Sequence, residues 1–179
     1  MSDPITQPTA GAAGSFSGLE PVGRRGPISH SPPLPIQGSV DLELPVDRLW
    51  SIFIDVPRWS EWNPCFWRSS VKGGDLRVGA TLRFTFNPIR GRYLYKLPGS
   101  AEIVELEEHD RVTWEVSSPG FHALHSYRFA ELDAGRSRFG SWEVAEGPMF
   151  RALERFWLAH FRFVCRESLA GAQGLGGTH

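Results

Sequence analysis

One stretch limits what this chain can fold into more than any other: GPMFRALERFWLAHFRFVCRESL, from Gly147 to Leu169. Gly147 ends the preceding segment, and Pro148 stands where a helix accepts proline, in its first turn. At about 100° per residue, Met149, Ala152, Leu153, Phe156, Trp157, His160, Phe161, Phe163 and Val164 share one broad arc. Arg151, Arg155, Arg162 and Arg166 gather on the opposite side. The spacing predicts one helix of roughly 33 Å, and so wide an apolar flank has to be buried against something large. The remaining chain reads as strands, so that partner is a sheet. His160 lies near the middle of the arc, an apolar place for a titratable ring.

From its start to about Pro35 the chain holds half of its 14 prolines, with Gly, Ser and Thr between them. It offers too little apolar surface to offset ordering, so residues 1–35 are expected to be a disordered tail. The SPPLP segment (Ser31 to Pro35) reads as a linker, with a polyproline ligand as the alternative. Residues 171–179 are expected to be a second, flexible tail, which leaves 36–170 as one domain.

Within that domain, Ile36 to Leu44 alternates like a half-buried strand. Val46, Leu49, Trp50, Phe53 and Ile54 then repeat at helical spacing until Pro57, and RWSEWNP makes a second short turn. Strands follow over Cys65–Lys72, Gly79–Phe86, Ser100–Glu107, Arg111–Ser117, Phe121–Leu132 and Ser137–Ala145. Asn87 to Gly99 reads as a loop carrying Arg90, Arg92, Tyr93, Tyr95 and Lys96. One strand, two small helices, about six more strands and a long helix describe an antiparallel α+β fold.

Composition removes several classes of function. Net charge is −1, so no bulk electrostatic case for nucleic acid exists. Cys65 and Cys165 suit buried thiols, and no membrane span or signal-peptide core is visible, which points to the cytoplasm. There is no Gly-rich phosphate loop, no nucleophile elbow and no metal-spaced histidine set; His122 and His125 fall on opposite faces of a strand. No cofactor is expected. The 7 tryptophans and 12 phenylalanines fill a core and also suit an aromatic-lined pocket.

Folding the last hairpin about Ala134-Gly135 sets Phe129 opposite Phe139, Tyr127 opposite Ser141 and His125 opposite Glu143. The Phe129/Phe139 face is the expected buried one, which turns His125 and Glu143 inward. Such a pair has two readings: a polar pair that orients a ligand, or an acid/base pair acting on a carbonyl compound, with His160 and Tyr127 as added donors.

The order of elements resembles the START-like helix-grip superfamily (SRPBCC), in particular its polyketide cyclase/dehydrase-like branch. The residues that carry the resemblance are SVDLELPVDRLWSIFIDVPRWSEWNP (Ser39 to Pro64), FHALHSYRFAEL (from Phe121), FGSWEVAEGPMF (from Phe139) and the closing aromatic helix. The resemblance implies a seven-stranded antiparallel sheet wrapped around the C-terminal helix, with a hydrophobic cavity between them. It further implies a small hydrophobic ligand, such as a lipid, polyketide or aromatic compound, and neither nucleic acid nor integral membrane association. Trp62, Phe66, Phe84, Phe86, Trp114, Tyr127, Phe129, Phe139, Phe156 and Phe163 are the expected wall. His125, Glu143 and His160 would orient the ligand's polar end or, in a cyclase, dehydratase or isomerase, move a proton.

Overall fold

The computed structural model describes residues 35–89 and 94–177. The predicted tail before Pro35, the SPPLP segment up to Leu34, and Arg90, Arg92 and Tyr93 of the basic loop lie outside them. In chain order come β1 (Ile36–Leu42), α1 (Val46–Ile54), a 3₁₀ turn (Val56–Arg58), α2 (Trp59–Trp62), β2 (Phe66–Val71) and β3 (Thr81–Phe86). Then follow β4 (Leu97–Glu107), β5 (Arg111–Ser118), β6 (Phe121–Asp133), β7 (Arg136–Glu146), α3 (Pro148–Ala152) and α4 (Glu154–Gly176). The strands form one seven-stranded antiparallel sheet in the order β1-β7-β6-β5-β4-β3-β2. This is the expected α+β helix-grip arrangement.

Local chemistry sets the register of the central hairpin. Ala134 and Gly135 form a two-residue turn between the paired Asp133 and Arg136. Asp133 accepts hydrogen bonds from the Gly135 N–H and the Arg136 guanidinium, at 3.2 and 2.8 Å. A one-residue register shift between Glu131 and Asp133 follows, and beyond it Phe129 meets Phe139, Tyr127 meets Ser141 and His125 meets Glu143, as the sequence predicts. Strand β1 closes on β7, with Val40 opposite Phe139 and Ile36 opposite Glu143.

Helix α1 drives Leu49, Trp50 and Phe53 into the concave side of the sheet. The Phe53 ring lies 5.1 Å from Tyr127 and 5.0 Å from Phe129. The Trp59 indole N–H donates to the Phe53 carbonyl at 2.6 Å, and the Ser69 hydroxyl donates to the Val56 carbonyl at 2.6 Å. The first bond ties α2 to α1, the second ties the 3₁₀ turn to β2, and both satisfy polar groups that burial would otherwise strand. The main apolar cluster joins α1, α2, the sheet and the inner side of α4. A smaller one gathers Phe121, Ala123, Ala145, Phe150 and Phe161 at the α3 end.

The closing helix differs from its prediction in two ways. It is broken at Leu153 into α3 and α4, because Gly147 (φ 110°) and the Met149 N–H bond to the Gly120 carbonyl (2.9 Å) tie the first turn to the β5–β6 connection. The break rotates the buried face. Phe150, off the predicted arc, is buried and stacks on Phe161, while Met149 and Leu153, on it, are 40 % and 52 % exposed. At the far end the helix runs through Gly176, so residues 171–176 are not the predicted flexible tail. Ala172 is buried in the main core, and a Cβ at Gly171 would intrude on the Trp62 carbonyl. Docking has overridden the poor helix propensity of glycine there.

Two smaller corrections concern the sheet. Strand β4 begins at Leu97, inside the predicted loop, because Gly99 leaves room that the Phe84 ring occupies. The face of β6 and β7 expected to be the outer one also buries Leu124, Ser126 and Val144. No helix among the described residues is long and apolar enough to cross a membrane.

Candidate functional site

The hairpin register and α4 together bring the three predicted polar residues into one buried region. His125 Nδ1 lies 3.5 Å from Glu143 Oε2, and His125 Nε2 lies 3.1 Å from the Ser141 hydroxyl. The ring is held between Trp114 at 4.7 Å and Tyr127 at 4.5 Å. Both imidazole nitrogens thus face protein partners. Glu143 is less well served: its Oε2 is buried and makes no hydrogen bond, since the 3.5 Å contact is too long and poorly aimed.

His160 enters from α4. Its ring meets Phe86 edge-on at 4.6 Å and lies parallel to Phe156 at 6.4 Å. Burial lowers its pKa from 6.5 to about 4; the Glu143 charge opposes that shift and His125 adds to it. The ring is therefore neutral at neutral pH, able to donate at one nitrogen and accept at the other. Trp157, which sequence reasoning placed on the helix but not in the site, contacts His160 at 6.2 Å. Its indole N–H is buried with no hydrogen-bond partner.

A second polar group lies deeper, and the sequence reading identified only its tyrosine. Asn63 Nδ2 donates to Ser168 Oγ at 2.9 Å, and the Tyr127 hydroxyl shares a 2.6 Å hydrogen bond with the same oxygen. Burial holds the Tyr127 phenol and the Cys65 thiol above their ordinary values, so both stay protonated. Ser168 follows Val164 by four residues and His160 by eight, so helical spacing alone puts it on the buried arc. Asn63 carried no such signal, since Asn-Pro reads as a helix stop. Both cysteines are free and buried.

The predicted aromatic wall divides into three environments. Tyr127, Phe129 and Phe139 are locked into a block of touching rings closed by Phe53, and Trp114 joins that block through Tyr127 and Trp59. Phe66, Phe84 and Phe86 form a second stack that ends at His160. Trp62, Phe156 and Phe163 are half-buried at the edges, with the Arg166 guanidinium 5.8 Å above the Phe163 ring. Trp62 also buries an indole N–H that has no partner.

Three pockets lined by described residues lie away from the interface between α4 and the sheet. They open beside β2–β4, at the β4–β5 edge, and between α1 and the β2–β3 turn. No group of three or more metal-ligating side chains occurs among the described residues.

The family model described as "Polyketide cyclase / dehydrase and lipid transport" matches residues 34–171. Several solved structures share the fold. A hypothetical protein from Helicobacter pylori superposes with a TM-score of 0.64 at 18% identity, covering 90% of this chain and 99% of that one. A START superfamily protein from Mycobacterium smegmatis gives 0.53 at 15% identity, covering 79% and 98%. The di-domain ARO/CYC StfQ from the steffimycin biosynthetic pathway gives 0.56 at 13% identity, covering 81% of this chain and 52% of that one. Curated proteins offered no sequence match.

Proposed function

Because the chain belongs to the polyketide cyclase/dehydrase and lipid transport family, we propose that it binds a small hydrophobic molecule between the sheet and α4. The observation that carries this reading is the set of unanswered polar atoms at the interior edge of α4. Glu143 Oε2 and the Trp157 indole N–H are both buried without hydrogen bonds, beside a ring that burial keeps neutral. Buried polar groups are nearly always paired, and each exception asks for a missing partner. A ligand with an apolar body and a polar end would supply one. Its body would lie against Phe86, Phe156 and Trp62, with Trp114 and the deeper rings behind. The half-buried Phe156 and Phe163, with the exposed Met149 and Leu153 at the helix break, make an apolar rim.

The test is native mass spectrometry of the protein from its own host, followed by calorimetric titration with a neutral probe, 2-naphthol. The expected result is a co-purifying small molecule and saturable heat. Phe156→Ala should weaken probe binding by about tenfold, in line with the loss of one buried aromatic contact. Absence of both mass and heat overturns the reading.

The His125–Glu143 pair supports a second reading, a cyclase, dehydratase or isomerase that moves a proton near a carbonyl. The hydrogen bond between His125 Nε2 and the Ser141 hydroxyl occupies one ring nitrogen inside the protein and favours positioning over proton transfer, and so favours the binder. His125→Ala separates the two. An enzyme would lose turnover and keep affinity, whereas a binder would show no product with either form.

A further inference from the structure

The outer face of β2, β3 and β4 holds a hollow on the opposite side of the sheet from the proposed ligand. Strand alternation sends Ser69, Phe84 and Ala101 inward and turns Arg68, Ser70, Arg83, Thr85 and Ser100 the other way. Pairing arranges the outward residues in two adjacent cross-strand rows, Arg68–Thr85–Pro98 and Ser70–Arg83–Ser100. Together they line an open hollow of about 680 Å³, a size that suits a small molecule.

The hollow concentrates positive charge. Arg68 lies diagonally across from Arg83, which sets their Cα atoms about 7–8 Å apart. Both are exposed, and neither makes an ion pair or a side-chain hydrogen bond among the described residues. Glu102, the next outward residue of β4, faces Thr81 and Glu115 and forms no ion pair with Arg83. Trp67, at the bulge between Phe66 and Arg68, is 45 % exposed and holds two cations. The Lys96 Nζ lies 3.3 Å from its ring centroid and the Arg68 guanidinium carbon 4.9 Å. Such contacts steady long cationic side chains at the edge of the hollow. The hydroxyls of Ser70, Thr85 and Ser100 also make no side-chain hydrogen bond among the described residues.

Two fixed positive charges and three open hydroxyls define what the hollow can take. A carboxylate would bring one charge and two oxygens. A phosphomonoester brings nearly two charges at neutral pH, because its second pKa is about 6, and three strong acceptor oxygens. Guanidinium groups donate to such oxygens in pairs, and hydroxyls donate singly. We propose that this face binds a small molecule through its phosphomonoester group, gripped by Arg68 and Arg83, with Ser70, Thr85 and Ser100 donating hydrogen bonds and Lys96 at the rim. The site stands apart from the interior ligand and does not depend on it.

Calorimetric titration of the full chain with phenyl phosphate at neutral pH, with benzoate as the carboxylate control, tests the proposal. Phenyl phosphate should give saturable heat and bind more tightly than benzoate. Arg68→Gln and Arg83→Gln should each weaken it by about tenfold or more, the effect of losing one charge-assisted hydrogen bond. Arg77→Gln removes an exposed cation outside the hollow and should change nothing. Phenylglyoxal labelling of the parent chain, read by mass spectrometry, gives the same answer without a variant: phenyl phosphate should protect Arg68 and Arg83 and leave Arg77 reactive. Absence of saturable heat, equal affinity for benzoate, or a loss in Arg77→Gln equal to that in Arg83→Gln overturns the proposal. Unchanged labelling of Arg68 and Arg83 overturns it as well. Capture on phosphatidate vesicles without heat from phenyl phosphate would make the face a membrane contact, and that result also overturns it.

Discussion

At the scale of single residues, the interior of this protein is decided by a few polar side chains among many rings. His160 is the clearest case. Burial holds its pKa near 4 against 6.5 in an open chain, so the folded form refuses a proton that the unfolded form accepts. The folded pKa is the lower one. Stability is therefore fully present above pH 6.5 and is lost as pH falls toward 4. Comparing urea unfolding at pH 7 and pH 4, the parent should lose on the order of 2–3 kcal/mol more than His160→Phe. Equal losses in the two would show that the ring is solvated. Ser168 makes a different prediction, because it serves both Asn63 and Tyr127. Tyr127→Phe removes one bond and should cost about 1 kcal/mol, while Ser168→Ala strands two buried partners and should cost about 2–3 kcal/mol. Equilibrium denaturation orders the two variants. His125, Glu143 and His160 were legible from strand alternation and helical period. Ser141 and Asn63 were not marked as site residues, because a small polar residue carries no burial signal of its own.

At the scale of elements, the contacts of α4 outweigh its composition. Replacing Gly171 by Ala gains about 1 kcal/mol of helix propensity yet pushes a methyl group into the Trp62 backbone carbonyl. The clash is with backbone and cannot be relieved by a rotamer change, so Gly171→Ala should destabilise by about 1–3 kcal/mol. Gly38→Ala makes a useful contrast. Its new Cβ would meet the flexible end of Leu169, which can turn aside, so the cost should be smaller. A lower urea midpoint for Gly38→Ala than for Gly171→Ala would contradict this account. The same contrast explains the misplaced end of the helix. Four glycines from 171 to 177 read as a tail, but two of them, Gly171 and Gly176, lie where neighbouring backbone approaches closely. The break at Leu153 was hidden for a related reason. Helical spacing is continuous through Ala152 and Leu153, and only the tie from Met149 to Gly120 interrupts it.

At the scale of the whole molecule, one apolar cluster runs from α1 through the sheet to the far end of α4, joining residues from Leu42 to Ala172. Unfolding should accordingly be a single cooperative step. Fluorescence from the buried Trp50, Trp59 and Trp114 should follow the same urea curve as far-ultraviolet circular dichroism; separated curves would show that the sheet and α4 melt independently. The sequence by itself determined the element order, the strand faces and the hairpin register, because these depend on periods of 2 and 3.6 residues and on turn chemistry within a few positions. Only the tertiary structure decided where α4 breaks and ends, that both faces of β6 and β7 are covered, and which interior polar atoms stay unpaired. Those outcomes depend on what distant segments bring to the same place, and no local pattern encodes the identity of a neighbour a hundred residues away.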